Sequence, residues 1–120
     1  MKILLDNCLD WRVRRLLAEH EVTHAKDVGW EKMENGKLLA AAANAGFDVM
    51  LTIDKKIRYE QNLATLPVAV MEIDCPDSRL PEIQRLAPFI LAALPDCTRY
   101  RFLSVDRDGR IERLAPRSPT

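Results

Sequence analysis

The sequence predicts an α/β fold built on a mainly parallel central sheet. Three observations carry this. Short apolar runs bounded by polar residues, Ile3-Leu4-Leu5, Val49 to Ile53 and Val68 to Ile73, read as buried parallel strands. Helical patterns separate these runs, which is the alternation expected of right-handed β-α-β crossovers. Two of the runs are closed by a lone carboxylate, in Lys2-Ile3-Leu4-Leu5-Asp6 and in Asp48-Val49-Met50-Leu51-Thr52-Ile53-Asp54. The expected strand order is 2-1-3-4-5, with a C-terminal antiparallel hairpin strand.

The elements follow in order. Residues 2 to 5 form the first strand, and Asp6-Asn7-Cys8 the turn after it. A helix is expected from about Leu9 to Glu19, with Trp11, Val13, Leu16 and Leu17 as its apolar stripe and Arg12, Arg14 and Arg15 facing water. Glu21 to Ala25 reads as a second strand with Val22 inward; His20 and His24 flank it as surface or structural residues. Lys26 to Trp30 reads as a helical turn stopped at Gly29, followed by a loop over Glu31 to Glu34. Asn35 suits the N-cap of a helix from Gly36 to Ala45, whose alanine-rich centre is a strong helix former, and Gly46 ends it.

The main strand then spans Phe47 to Ile53. Residues 56 to 64 look helical, with Ile57, Leu63 and Tyr59 inward. Pro67 opens the fourth strand, Val68 to Ile73, and Asp74 to Ser78 is a loop. Pro81 suits the first turn of a helix running to about Leu94, kinked or split at Pro88, with Ile83, Leu86, Phe89, Ile90, Ala93 and Leu94 as its core side. Tyr100 to Val105 alternates as a fifth strand. Arg107-Asp108-Gly109 signals a hairpin, and Ile111 to Leu114 returns as an antiparallel edge. Residues 1 to 115 make one domain, and 116 to 120 a flexible tail.

Composition sets bounds. The 120 residues suffice for one domain with a real core, and 48% apolar with 30% charged residues is the profile of an ordinary globule. The 18 basic and 18 acidic residues cancel, so any nucleic-acid contact must come from local patches. Cys8, Cys75 and Cys97 are odd in number and widely spaced, which suggests reduced thiols in a cytoplasm and no zinc site. No signal peptide is expected, because Asp6 and Asp10 interrupt the N-terminal segment, and no run approaches a membrane span.

In that strand order the winding reverses between the first and third strands, so Asp6 and Asp54 should face one crevice at the switch point. The plainer reading makes each a strand terminator or a helix N-cap. Two carboxylates brought close repel unless one takes a proton or a cation sits between them. Mg²⁺ or Mn²⁺ suits such oxygen ligands, and Asn7 and Asn35 can add amide oxygens or hold metal-bound water. A metal-polarised water beside a phosphodiester is the recipe for metal-assisted hydrolysis. Lys55, Lys56, Arg58 and Gln61 follow Asp54 and are the expected substrate contacts.

Lys2 to Leu9, Gly29-Trp30 through Asn35-Gly36-Lys37-Leu38-Leu39-Ala40-Ala41-Ala42, and Phe47 to Asp54 together resemble a small bacterial family of PIN-like domains, relatives of PIN ribonucleases and of toxins from toxin–antitoxin pairs. Tyr59-Glu60-Gln61-Asn62-Leu63 followed by Pro67-Val68-Ala69-Val70 looks like one branch of it, and the resemblance covers roughly residues 1 to 95. It implies a three-layer PIN-like fold, a divalent-metal site and RNA cleavage. Asp6 and Asp54 match the family's acidic positions after the first and third strands. Asn35 stands near a position acidic in many relatives, and Asn7 where relatives often carry Glu. PIN ribonucleases gather three or four carboxylates, so two amides here lower the expected metal affinity; Glu34 or Asp74 are candidates to compensate.

The leading reading is thus a metal-dependent endoribonuclease, a toxin whose partners are RNA and a small antitoxin protein, with homodimerisation open. The alternative is a catalytically degenerate PIN-like domain that binds RNA or a protein. A receiver-like signalling domain ranks lower, because such domains place an acidic pair where this chain has Asp6-Asn7 and a Lys after the fifth strand, where this chain has none.

Overall fold

The computed structural model describes residues 1–76 and 79–117. One six-stranded sheet has the order β2-β1-β3-β4-β5-β6. Its strands are β1 (Lys2–Leu5), β2 (Glu21–His24), β3 (Val49–Thr52), β4 (Ala69–Asp74), β5 (Tyr100–Asp106) and β6 (Ile111–Pro116). The first five pair in parallel and β6 returns antiparallel to β5. The winding order and the hairpin expected from the sequence are both present, and β1 lies between β2 and β3.

Helices cover both faces. The α-helices are α1 (Asn35–Asn44), α2 (Lys56–Glu60) and α3 (Leu80–Ala93). Short 3₁₀ helices span Trp11–Leu17, Ala25–Val28, Leu63–Thr65 and Leu94–Thr98. Strand alternation sorts the core into two layers. Ile3, Leu5, Leu51, Met71 and Leu103 pack beneath α3 and the first 3₁₀ helix; Leu4, Met50, Val70 and Phe102 pack beneath α1 and Ile57 of α2.

Several expectations need correction. The segment after β1 is a seven-residue 3₁₀ helix, not an α-helix of eleven, with Asp10 accepting from the Arg12 amide at its start. Only Val13 and Leu17 of its expected stripe are buried. Trp11 turns outward, 48% exposed, and lies under the guanidinium groups of Arg14 and Arg15. Tyr59 is 82% and Phe89 42% exposed, so neither belongs to the core. Asn35 is not the cap of α1: Glu34 occupies that position without a side-chain cap bond, and Asn35 is already helical. The region after Asp54 is not one helix to residue 64 but α2, a break at Gln61 and a 3₁₀ turn.

Pro88 does not split α3, which runs unbroken across it; the proline is exposed, where water can satisfy the carbonyl it leaves without a donor. Asp74 belongs to β4 rather than to the loop expected after it, and of that loop residues 77 and 78 lie outside the described residues. Of the expected tail, Pro116 ends β6 and residues 118–120 lie outside the described residues. No described helix is long and apolar enough to cross a membrane.

Candidate functional site

The carboxyl ends of the central strands carry polar residues where the pattern of the α1 face otherwise calls for apolar ones. Leu4, Met50, Val70 and Phe102 occupy that face, and two residues further along their strands stand Asp6, Thr52, Glu72 and Ser104. All four are buried, with exposures of 5%, 0%, 2% and 4%. Thr52 pairs in register with Glu72, and Glu72 with Ser104. The amide of Asp6 bonds the Leu51 carbonyl at 3.0 Å, which carries the β1–β3 ladder to the edge of this row.

Asp6 and Asp54 are joined through Thr52. The Thr52 hydroxyl donates to Asp6 Oδ2 at 2.7 Å and accepts from the Asp54 amide at 3.0 Å. Asp6 Oδ1 accepts from the Asn7 amide at 2.7 Å. Although Cys8 as a residue is exposed, its Sγ turns in to within 3.5 Å of both Asp6 Oδ2 and Thr52 Oγ1. Burial, and then the Asp6 charge, push the Cys8 thiol pKa up, so it is held neutral.

Asn7 donates its side-chain amide to the Trp30 carbonyl at 3.2 Å. This leaves Asn7 Oδ1 buried without a hydrogen-bond partner among the described residues, next in the chain to Asp6. Asp54 is half-buried: Oδ1 accepts from the Lys56 amide at 2.9 Å and Oδ2 from the Asn35 side chain at 3.2 Å. Asn35 therefore ties the first turn of α1 to the end of β3. Asn35, Asp54, Lys56 and Gln61 line one cavity of about 310 Å³, with Glu34 at its wall. Lys56 enters no ion pair among the described residues, and its side chain is exposed.

The other expected substrate contacts lie elsewhere. Lys55 pairs with Asp74 at 2.7 Å, which raises the lysine pKa. Arg58 bonds Glu112 at 2.7 Å and Glu72 at 3.2 Å. Burial opposes the Arg58 charge, and the two carboxylates outweigh it, so its pKa is also raised. Both cations border a second cavity, of about 350 Å³, at the ends of β4 and β5. Asp74 thus lines this second cavity, while Glu34 lines the first with Asp54.

Glu72 is the residue that sequence reasoning missed. It sits inside an apolar run, so the pattern marked it as an ordinary strand position. The one signal was a charged residue at a position whose alternation places it inward.

Carboxylate and amide oxygens are the hard ligands that Mg²⁺ or Mn²⁺ takes, and the unsatisfied Asn7 Oδ1, on the residue after Asp6, fits that chemistry. Among the described residues no three His, Cys, Asp or Glu side chains are grouped to hold a metal by themselves, so amides and water would have to complete a coordination shell. No disulfide joins the cysteines among the described residues. No protein-family model, curated protein or solved structure matches the chain.

Proposed function

We propose that this chain is a PIN-like domain that cleaves RNA slowly with a divalent metal, in the role of a toxin held by a small antitoxin protein. The observation that carries the reading is the placement of Asp6 and Asp54 at the ends of adjacent parallel strands, at the switch point, bridged by one hydroxyl. Asp6, Asp54 and the amide oxygen of Asn7 are the residues that would hold Mg²⁺ or Mn²⁺. Such an ion supplies a polarised water and charge stabilisation at the phosphoryl oxygens.

The chain's own residues supply the positioning. Thr52 fixes the carboxylate of Asp6 against the backbone of Asp54. Asn35 orients Asp54 Oδ2. Lys56 and Gln61 line the same cavity and would contact the phosphate and ribose of a strand lying across it.

The test is single-stranded RNA incubated with Mn²⁺ and purified protein. Asp54→Asn should abolish cleavage while RNA binding survives. Lys56→Ala should weaken binding and lower its salt slope by about one, the signature of one lost phosphate contact. Wild-type protein that leaves RNA intact at every Mn²⁺ concentration would sink the nuclease reading.

A second reading is favoured by a specific observation. Asp6 is 5% exposed and its oxygens already accept from Thr52, Cys8 and the Asn7 amide, while Asn7 and Asn35 are amides where the PIN-like resemblance expects acids. On that reading the domain binds RNA without cutting it. Binding that survives in EDTA, with no metal-dependent rise in melting temperature, would select it.

A further inference from the structure

The second cavity is lined by a buried carboxylate that the fold satisfies only in part. Glu72 is 98% buried, two residues beyond Val70 on its strand and flanked in register by Thr52 and Ser104. Burying a carboxylate there is costly unless its oxygens are satisfied. Only half of it is. Oε1 accepts from Ser104 Oγ at 3.1 Å and from Arg58 at 3.2 Å, while Oε2 has no hydrogen-bond partner among the described residues. The neighbouring cation Lys55 is committed to Asp74. A carboxylate oxygen accepts and never donates, so the missing partner is a group presenting N–H or O–H.

A second feature at the same cavity points to an aromatic ligand. Tyr59 of α2 stands at its wall, 82% exposed, with no ring or cation stacked on it among the described residues. A cavity of about 350 Å³ is in the range of small-ligand sites. Lys55 borders it and follows Asp54 directly in the chain. Single-stranded RNA is read by stacking a base on an aromatic ring and bonding its Watson–Crick edge.

We infer that this cavity binds a guanine base of the RNA strand, with Glu72 as acceptor and Tyr59 as stacking partner. The inference rests on the RNA reading above. Guanine alone among the four bases presents two adjacent N–H donors on that edge, N1–H and N2–H, and Oε2 has two lone pairs to receive them. Uracil flanks its single N–H with carbonyls, and adenine and cytosine set a ring acceptor beside the amino group; each brings a lone pair against the carboxylate. Arg58 can give up the longer contact to Glu72, keep the 2.7 Å bond to Glu112, and donate to guanine O6.

The experiment is a titration of the metal-free protein in EDTA with 5′-GMP, AMP, CMP, UMP and free arginine, read by calorimetry. GMP should bind at least tenfold tighter than the other three nucleotides. Glu72→Gln should erase that preference. Tyr59→Ala changes an exposed residue and leaves the fold intact; it should weaken GMP about tenfold, the usual loss of one stacking partner. Equal binding of the four nucleotides, tighter binding of arginine than of GMP, or a Tyr59→Ala protein that binds GMP unchanged would each overturn the pocket, even if Glu72→Gln fails to fold. The two readings fail separately. A guanine preference in a protein that never cuts RNA keeps the pocket and removes the nuclease; cleavage alike at all four nucleotides keeps the nuclease and removes the pocket.

Discussion

Thr52 does more at the site than its size suggests. One hydroxyl donates to Asp6 and accepts from the Asp54 backbone. Thr52→Val keeps the shape and removes both bonds, leaving the buried Asp6 carboxylate short of a donor. The expected cost is about 1–3 kcal/mol by urea unfolding, with loss of any metal-dependent rise in melting temperature; Thr52→Ser should restore both. A Thr52→Val protein as stable as wild type would mean that Asp6 finds another donor. Cys97 gives a pH signature. Burial pushes its thiol up to about 12, while the unfolded thiol ionises near its ordinary 9. The folded state holds the proton longer, so this contribution is full below about pH 9 and is lost as pH rises toward 12. Cys97→Ala should flatten the fall in urea stability between pH 8 and 10.5, whatever its own cavity cost at neutral pH. Asp6 and Asp54 were legible because each interrupts an apolar run at its end. Glu72 was not, because it lies within such a run and only its partner on β5 reveals the polar row.

At the scale of elements, the hairpin between β5 and β6 was readable from Asp108-Gly109, and Gly109 indeed takes φ +80°. What the sequence does not show is why no other residue serves there. A Cβ on Gly109 would come within 2.7 Å of the Phe89 ring, so the exposed phenylalanine of α3 packs over the turn. Gly109→Ala should cost more than the roughly 1 kcal/mol of left-handed strain alone. Adding Phe89→Ala should recover the steric part, and a strictly additive double variant would refute the contact. The first 3₁₀ helix was misread as α-helical because Trp11, Val13, Leu16 and Leu17 fit a 3.6-residue period. The tighter winding actually adopted aligns Trp11 with Arg14 instead, and the tryptophan leaves the core. Asn35 before an alanine-rich run was read as a cap for the usual reason; the helix starts one residue earlier, and the Asn35 side chain bonds Asp54 in place of the helix's own amides. Glu34→Ser, which supplies the missing cap, should raise stability by about 1 kcal/mol in thermal or urea unfolding.

For the whole molecule, alternation of strand and helix was enough to order the sheet, since crossover rules leave few alternatives. The division of the polar residues between two cavities was not readable, because it depends on which side of Asp54 each following side chain turns. Lys56 and Gln61 turn toward α1, and Lys55 and Arg58 toward β4 and β5. Asn35 is where the helical layer meets the sheet edge, and it decides how the proposed metal site responds to charge. Its amide now donates to Asp54 Oδ2 at 3.2 Å. Asn35→Asp would replace that donor with a second carboxylate at the same distance. Without a cation the two repel, and one is driven to hold a proton. The metal-free variant should therefore melt lower than wild type at pH 7, and recover as pH falls and that proton is taken up. With Mn²⁺ the sign reverses: the added ligand should give a larger metal-dependent rise in melting temperature than wild type shows, and faster RNA cleavage when Asn7→Glu is added. Melting curves at pH 5 and 7, with and without Mn²⁺, separate the outcomes. If Asn35→Asp melts lower at pH 7 and Mn²⁺ returns nothing, the two carboxylates face each other but no cation enters between them, and the proposed metal site is refuted.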